Sequence, residues 1–157
     1  MPIQFIAELA SNVFPYSRDR LQRMIVSAAR AGADAIKVQL FFADHFPPEE
    51  QEEKRKFEFP RDEFTYFVRL VKGNGMLAGA SVFDNGAVDL AVTASADFIK
   101  LAAREADNVA LRAYCEQSTL PVFRSFPMPP TNNDKPSHAR ETPFGTVSAY
   151  PADLVES

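Results

Sequence analysis

The feature that most limits what this chain can fold into is its alternation of β-prone runs with helical patterns along nearly its whole length. Apolar runs at Ile3–Ala7, Ala35–Leu40, Met76–Phe83, Ala96–Leu101, Leu120–Arg124 and Thr146–Tyr150 read as strands. After the first run and a polar, Pro-containing loop, Leu21, Met24, Ile25 and Ala28 recur at helical spacing, with Ser17 in front as a cap and Gly32 just behind. Pro60 opens a second helix whose stripe is Phe64, Phe67, Val68 and Val71, closed by Gly73 and Gly75. Two more helices are expected over Asn85–Thr93 and Asp107–Gln117, the latter capped by Asp107. Strands that alternate with helices require crossovers of one hand and a parallel sheet.

The expected fold is therefore α/β, a TIM-barrel-like parallel (β/α) barrel that is incomplete, with about six strands, in a single domain over residues 1–157. An eight-stranded barrel normally takes about 250 residues, so 157 residues supply six of its eight βα positions. Two segments stand outside the alternation. Phe41 to Lys56 is a loop carrying Pro47-Pro48 and then a charge run from Glu49 to Lys56, expected to be a solvated face or a short exposed helix. Pro127 to Pro143 is rich in proline and polar residues and reads as an irregular loop.

Composition removes several function classes. The net charge of −4 and the pI near 5.2 oppose a nucleic-acid surface, because duplex binding depends on a Lys/Arg field. No apolar run approaches the roughly 20 residues that span a bilayer, and the N-terminus carries no leader pattern, so a cytoplasmic chain is expected. The one cysteine, Cys115, allows no intramolecular disulfide and no Cys-based zinc site, and its helical setting marks it as a packed small hydrophobe. His45 and His138 fall in loops and read as surface residues, and no spacing of His, Cys, Asp and Glu makes a metal motif.

The second strand carries the chemistry. In Ala35–Leu40, Ile36, Val38 and Leu40 share one face, which leaves Lys37 and Gln39 on the other. A parallel sheet is usually covered on both faces and apolar on both. An inward lysine must find an anion or change its pKa; it meets either an inward carboxylate such as Glu8 or an anionic ligand at the strand end. Lys100 repeats the pattern at the end of Phe98–Leu101, and Ser81, Ser125 and Ser148 place hydroxyls at three further strand ends. Two strand-end lysines suit a phosphate and a carboxylate.

These strand ends resemble a known family. Ile6-Ala7-Glu8, the block Ala31-Gly32-Ala33-Asp34-Ala35-Ile36-Lys37-Val38-Gln39, Ser81-Val82-Phe83-Asp84, Phe98-Ile99-Lys100-Leu101-Ala102, Leu120-Pro121-Val122 with Ser125, and Val147-Ser148-Ala149-Tyr150-Pro151 follow the order and spacing of the sialic acid synthase (N-acetylneuraminate synthase, NeuB-like) family. The resemblance implies a (β/α)₈ barrel that condenses phosphoenolpyruvate with an N-acetylmannosamine-type sugar to give a nonulosonic acid and phosphate, with a divalent metal, manganese or magnesium. It implies that Lys37, Ser81, Lys100, Ser125 and Ser148 contact the phosphate and carboxylate of phosphoenolpyruvate. Glu8, Gln39 and Tyr150 would face the sugar, and Glu105 would lie near the reacting carbons as a catalytic group together with Glu8.

The chain departs from the family pattern in places. Asn12-Val13 stands for Asn-His, Ala103 for a serine, and Ser125-Phe126-Pro127-Met128 for a Ser-Thr-Gly-Met turn. The family's metal-binding histidines lie on the seventh and eighth strands, which this pattern lacks, as it lacks the C-terminal antifreeze-like domain. The expected partners are small molecules, phosphoenolpyruvate and an amino sugar, with no nucleic acid and no membrane, and either a homo-oligomer or a partner chain that completes the barrel. The alternatives are an inactive binding or assembly module, one subunit of a split barrel, or another phosphate-handling barrel enzyme.

Overall fold

The computed structural model describes residues 4–105, 107–127 and 139–146. Its six strands are β1 (Ile6–Glu8), β2 (Ala35–Leu40), β3 (Leu77–Val82), β4 (Phe98–Leu101), β5 (Val122–Pro127) and β6 (Glu141–Thr146). All neighbours pair in parallel and the sheet order is β1-β2-β3-β4-β5-β6. A doubly wound sheet reverses its order at a switch point; this one never does, which is the order of a barrel. The architecture is the expected incomplete TIM-barrel-like one, open between β1 and β6 among the described residues.

The helices are α1 (Arg18–Arg30), α2 (Pro48–Arg55), α3 (Arg61–Gly73), α4 (Asn85–Thr93) and α5 (Val109–Gln117). Local chemistry fixes their starts. Ser17 Oγ accepts from Arg20 N at 3.1 Å, Asp84 Oδ1 from Ala87 N at 2.8 Å and Asn108 Oδ1 from Leu111 N at 3.1 Å, each meeting a backbone N–H that the first turn leaves open. Gly32 ends the turn after α1 at φ +83, a conformation that favours glycine. The apolar stripes of α1 and α3, including Leu21, Ile25, Phe64, Phe67 and Val71, pack with Ile36, Val38, Leu40, Ala80 and Ile99 in one core between helices and sheet.

Several boundaries differ from the sequence expectation. The charge run does form a short exposed helix, α2. The cap of α5 is Asn108 rather than Asp107. The largest correction is to the irregular loop expected over Pro127 to Pro143, whose end from Glu141 onward belongs to β6 (Glu141–Thr146); of the strand expected at Thr146–Tyr150, all but Thr146 lies outside the described residues. Val122 N donates to Arg140 O at 2.9 Å and starts the pairing. Pro143, which cannot donate, is tolerated because β6 is the edge strand among the described residues.

Register sets the site. Partners across a parallel pair lie on the same face, so Glu8, Lys37, Gly79 and Phe98 form one row of the concave face and Gln39, Ser81, Lys100, Phe123 and Thr142 the next. Gly79 is required by close packing: a Cβ there would lie 2.3 Å from the Phe98 ring.

Candidate functional site

The second row and its neighbour below bring four of the sequence-predicted residues into one cluster. Lys37, at 9% exposure, donates from Nζ to Ser81 Oγ at 3.0 Å and forms an ion pair with Glu8 Oε2. The carboxylate alternative foreseen for this lysine is thus realised. Burial, and secondly the charge of Lys100, push the Lys37 ammonium down to about 7. The Glu8 carboxylate, touching the same amine, opposes both effects. Burial lowers Lys100 as well. No hydrogen bond or ion pair joins Lys100 to another described residue, so the cluster holds two lysines and one carboxylate in contact with one of them.

The remaining predicted residues divide. Gln39 shares the row of Ser81 and is exposed. Ser125 lies two residues beyond Phe123 on the same face, and its Oγ is buried without a hydrogen-bond partner. A buried hydroxyl left unpaired is costly, and a ligand oxygen would relieve it. Glu105 follows β4 but is held locally: Asn108 Nδ2 donates to its Oε2 at 3.0 Å, and Arg104 Nε lies 3.4 Å from its Oε1. Ser148, Tyr150 and His138 lie outside the described residues. His45 is half exposed, with Nδ1 3.1 Å from Asp84 Oδ2. Cys115 is buried, and burial pushes its thiol up to about 12, so it is no nucleophile.

The sequence reading missed what lies directly above the lysine row. Phe41 and Phe83 continue the alternation past Gln39 and Ser81, and their rings meet edge to face at 6.0 Å. With Phe46, Phe57, Lys54 and Arg104 they enclose an open cleft of about 400 Å³ that has Gln39 in its lining. The alternation of β2 and β3 signals Phe41 and Phe83. Nothing local signals Phe46, Lys54 or Arg104, which arrive from a loop, a helix and a 3-10 turn.

With two strand-end lysines, a serine and a carboxylate on the concave face of a (β/α) sheet, the family comparison is decisive: the sequence model of the NeuB family matches residues 24–135. The chain belongs to the NeuB family. Among solved structures, this NeuB-family chain is similar to N-acetylneuraminic acid (sialic acid) synthetase from Leptospira borgpetersenii serovar Hardjo-bovis, crystallised with citrate, at 22% identity and TM-score 0.84 over 99% of this chain and 57% of that one. It is also similar to a putative spore coat polysaccharide biosynthesis protein E from Chromobacterium violaceum, at 19% identity and TM-score 0.82, over 95% of this chain and 50% of that one. Spore coat polysaccharide biosynthesis protein spsE from Bacillus subtilis matches at 23% identity and TM-score 0.78, over 96% and 46%. This chain spans about half the length of those structures. No curated protein matches it.

The divalent metal implied by the resemblance does not fit the described donor set. Among the described residues no group of three or more His, Cys, Asp or Glu side chains is placed to hold a metal ion. Among the same residues no helix is long and apolar enough to cross a membrane.

Proposed function

We propose that the chain binds phosphoenolpyruvate and contributes to its condensation with an N-acetylmannosamine-type sugar, giving a nonulosonic acid and phosphate. The observation that supports this most is the convergence of two lysines on the concave face, the buried Lys37 donating from Nζ to Ser81 Oγ at 3.0 Å and the half-buried Lys100 standing in register with Ser81. A small acid with a phosphate and a carboxylate satisfies both cations at once. Ser81 and Ser125 donate to its oxygens, as Ser148 would from beyond the described residues. Glu8 and Gln39 face the sugar, with Tyr150, and Glu105 orients water. The enol carbon attacks the open-chain aldehyde carbon; water then adds at the phosphate-bearing carbon and the bond to the phosphate oxygen breaks, releasing inorganic phosphate. On this reading Lys37 exchanges its contact with Glu8 for the ligand anion, which frees the carboxylate to take a proton.

Phosphoenolpyruvate is expected to raise the melting temperature of the chain, and Lys37→Ala and Lys100→Ala are each expected to abolish the rise. No shift in the parent protein would sink the binding assignment. Phosphate release from phosphoenolpyruvate with N-acetylmannosamine tests the chemistry separately.

One observation favours a second reading, in which the chain is one wall of a split barrel. Among the described residues the sheet is open, and Leu77, on the concave face in register with Ala35, is 45% exposed. Open strand edges and uncovered apolar faces recruit other chains. Light scattering is expected to give a dimer or larger particle. A strict monomer that still binds phosphoenolpyruvate would remove this reading and keep the first.

A further inference from the structure

The connection between β2 and α3 is attached differently from the rest of the fold. Phe42 and Phe59, each 1% exposed, anchor its two ends in the core. Between Ala43 and Phe59 no residue is buried, those of α2 included. Ala43 N donates to Glu58 Oε2 at 3.0 Å and closes the base of the segment. Gln51 Nε2 donates to Phe46 O at 2.9 Å, and Arg55 pairs with Asp44. Residues 43–58 thus form a flap folded on itself, its ends close together and little of its apolar area in the core. Segments of that kind open locally at low cost. Ring contacts rest it on its neighbours: Phe46 meets Phe41 at 5.5 Å and Phe57 meets Phe14 at 5.9 Å, both edge to face.

One polar contact leaves the flap. Among the described residues, every other hydrogen bond and ion pair of residues 43–58 closes within the segment or on Phe42 beside it. The exception is His45, whose Nδ1 lies 3.1 Å from Asp84 Oδ2. Asp84 belongs to the rigid side. It caps α4 by accepting at Oδ1 from Ala87 N at 2.8 Å, and its side chain is 9% exposed. Its second oxygen, Oδ2, is buried and receives no hydrogen bond. A buried carboxylate calls for a partner, and His45 is the group set against it. The turn beneath is closely packed: a Cβ on Gly86 would lie 3.1 Å from the Phe42 ring and 3.2 Å from Asp84 Oδ1.

We propose that residues 43–58 are a lid on the anion site and that His45, held by Asp84, is the latch that keeps it closed. The lid carries Phe46, Lys54 and Phe57 into the cleft that has Gln39 in its lining, and Gln39 stands in register with Ser81 and Lys100. The position of the lid therefore sets access to the lysine row. His45 is a positioning residue. The lid's effect on a ligand rests on the reading that this row binds phosphoenolpyruvate; the latch does not.

Hydrogen exchange followed by mass spectrometry, with and without phosphoenolpyruvate, tests both parts in the parent chain, in His45→Ala and in His45→Asn, whose amide nitrogen takes the place of Nδ1. In His45→Ala the amides of residues 43–58 should exchange at least about tenfold faster, with α3 and β3 unchanged. His45→Asn should restore the parental rates. Phosphoenolpyruvate should slow exchange in residues 43–58 of the parent and of His45→Asn, and much less in His45→Ala. Unchanged lid rates in His45→Ala overturn the latch, as does faster exchange spread over the whole chain. Protection of β2 and β4 by phosphoenolpyruvate without protection of residues 43–58 overturns the lid. A ligand that protects no segment refutes the condensation reading instead, and the ligand-free rates then decide the latch by themselves.

Discussion

Glu141→Ala is expected to destabilise the fold by about 3–5 kcal/mol, the cost of breaking a buried ion pair from one side. Glu141 is 6% exposed on the helix-facing side of β6, and Arg124, at 1%, forms an ion pair with it from β5. Arg112 reaches the same carboxylate from α5, its Nη2 3.1 Å from Oε2. One carboxylate thus ties the edge strand to its neighbour and to the helix above them. Removing it leaves the Arg124 guanidinium buried beside a second cation. Arg112 is 20% exposed with Glu116 Oε1 3.7 Å from its Nε, whereas the Arg124 side chain is 1% exposed. Urea unfolding followed by far-ultraviolet circular dichroism measures the loss. The double variant Arg124→Met with Glu141→Leu should recover most of it, since apolar groups of similar volume replace such pairs with little penalty. A Glu141→Ala loss below about 1 kcal/mol would place the pair among weak surface contacts and contradict its burial.

That network marks where sequence reasoning stops. Glu141 falls in the stretch that reads as an irregular loop, and its burial is matched by ion pairs to the distant Arg112 and Arg124. The strand character of Glu141–Thr146 follows from the same cause, because the pairing that draws it onto β5 is not encoded in local propensity. Elements governed by their own periodicity were legible to the residue: Ala35–Leu40 and Asn85–Thr93 run as their patterns dictate. The lysine row was legible for a related reason. A cation alternating with apolar residues in a strand that should be apolar on both faces has few explanations, and Lys37 and Lys100 fall in adjacent rows because register joins Glu8, Lys37 and Gly79, then Gln39, Ser81 and Lys100. The cleft over them depends on loop geometry that places Phe46, Lys54 and Arg104 together, and alternation says nothing about loops.

Affinity for phosphoenolpyruvate is expected to fall as pH rises above about 7, approaching tenfold per pH unit. In the folded chain, burial and Lys100 hold the Lys37 ammonium near 7, whereas an unfolded lysine titrates near 10.4. Between those values the unfolded chain carries a proton that the folded one lacks. Stability contributed by this group is therefore fully present above about 10, is lost as pH falls toward 7, and changes no further below it. Anion binding requires the opposite protonation state, so above 7 the ligand must bring a proton to Lys37, and each pH unit weakens binding by the cost of one proton. The ligand's phosphate, with its second pKa near 6, gains charge as pH rises and acts in the other direction, which places the optimum between about 6 and 7. Calorimetric titrations in buffers of different protonation enthalpy should register uptake of close to one proton at pH 8. Glu8→Gln, which deletes the carboxylate opposing burial, should move the inflection to lower pH. Constant affinity from pH 7 to 9 without proton uptake would mean that Lys37 is fully charged when the ligand arrives, its pairing with Glu8 outweighing burial and Lys100 together.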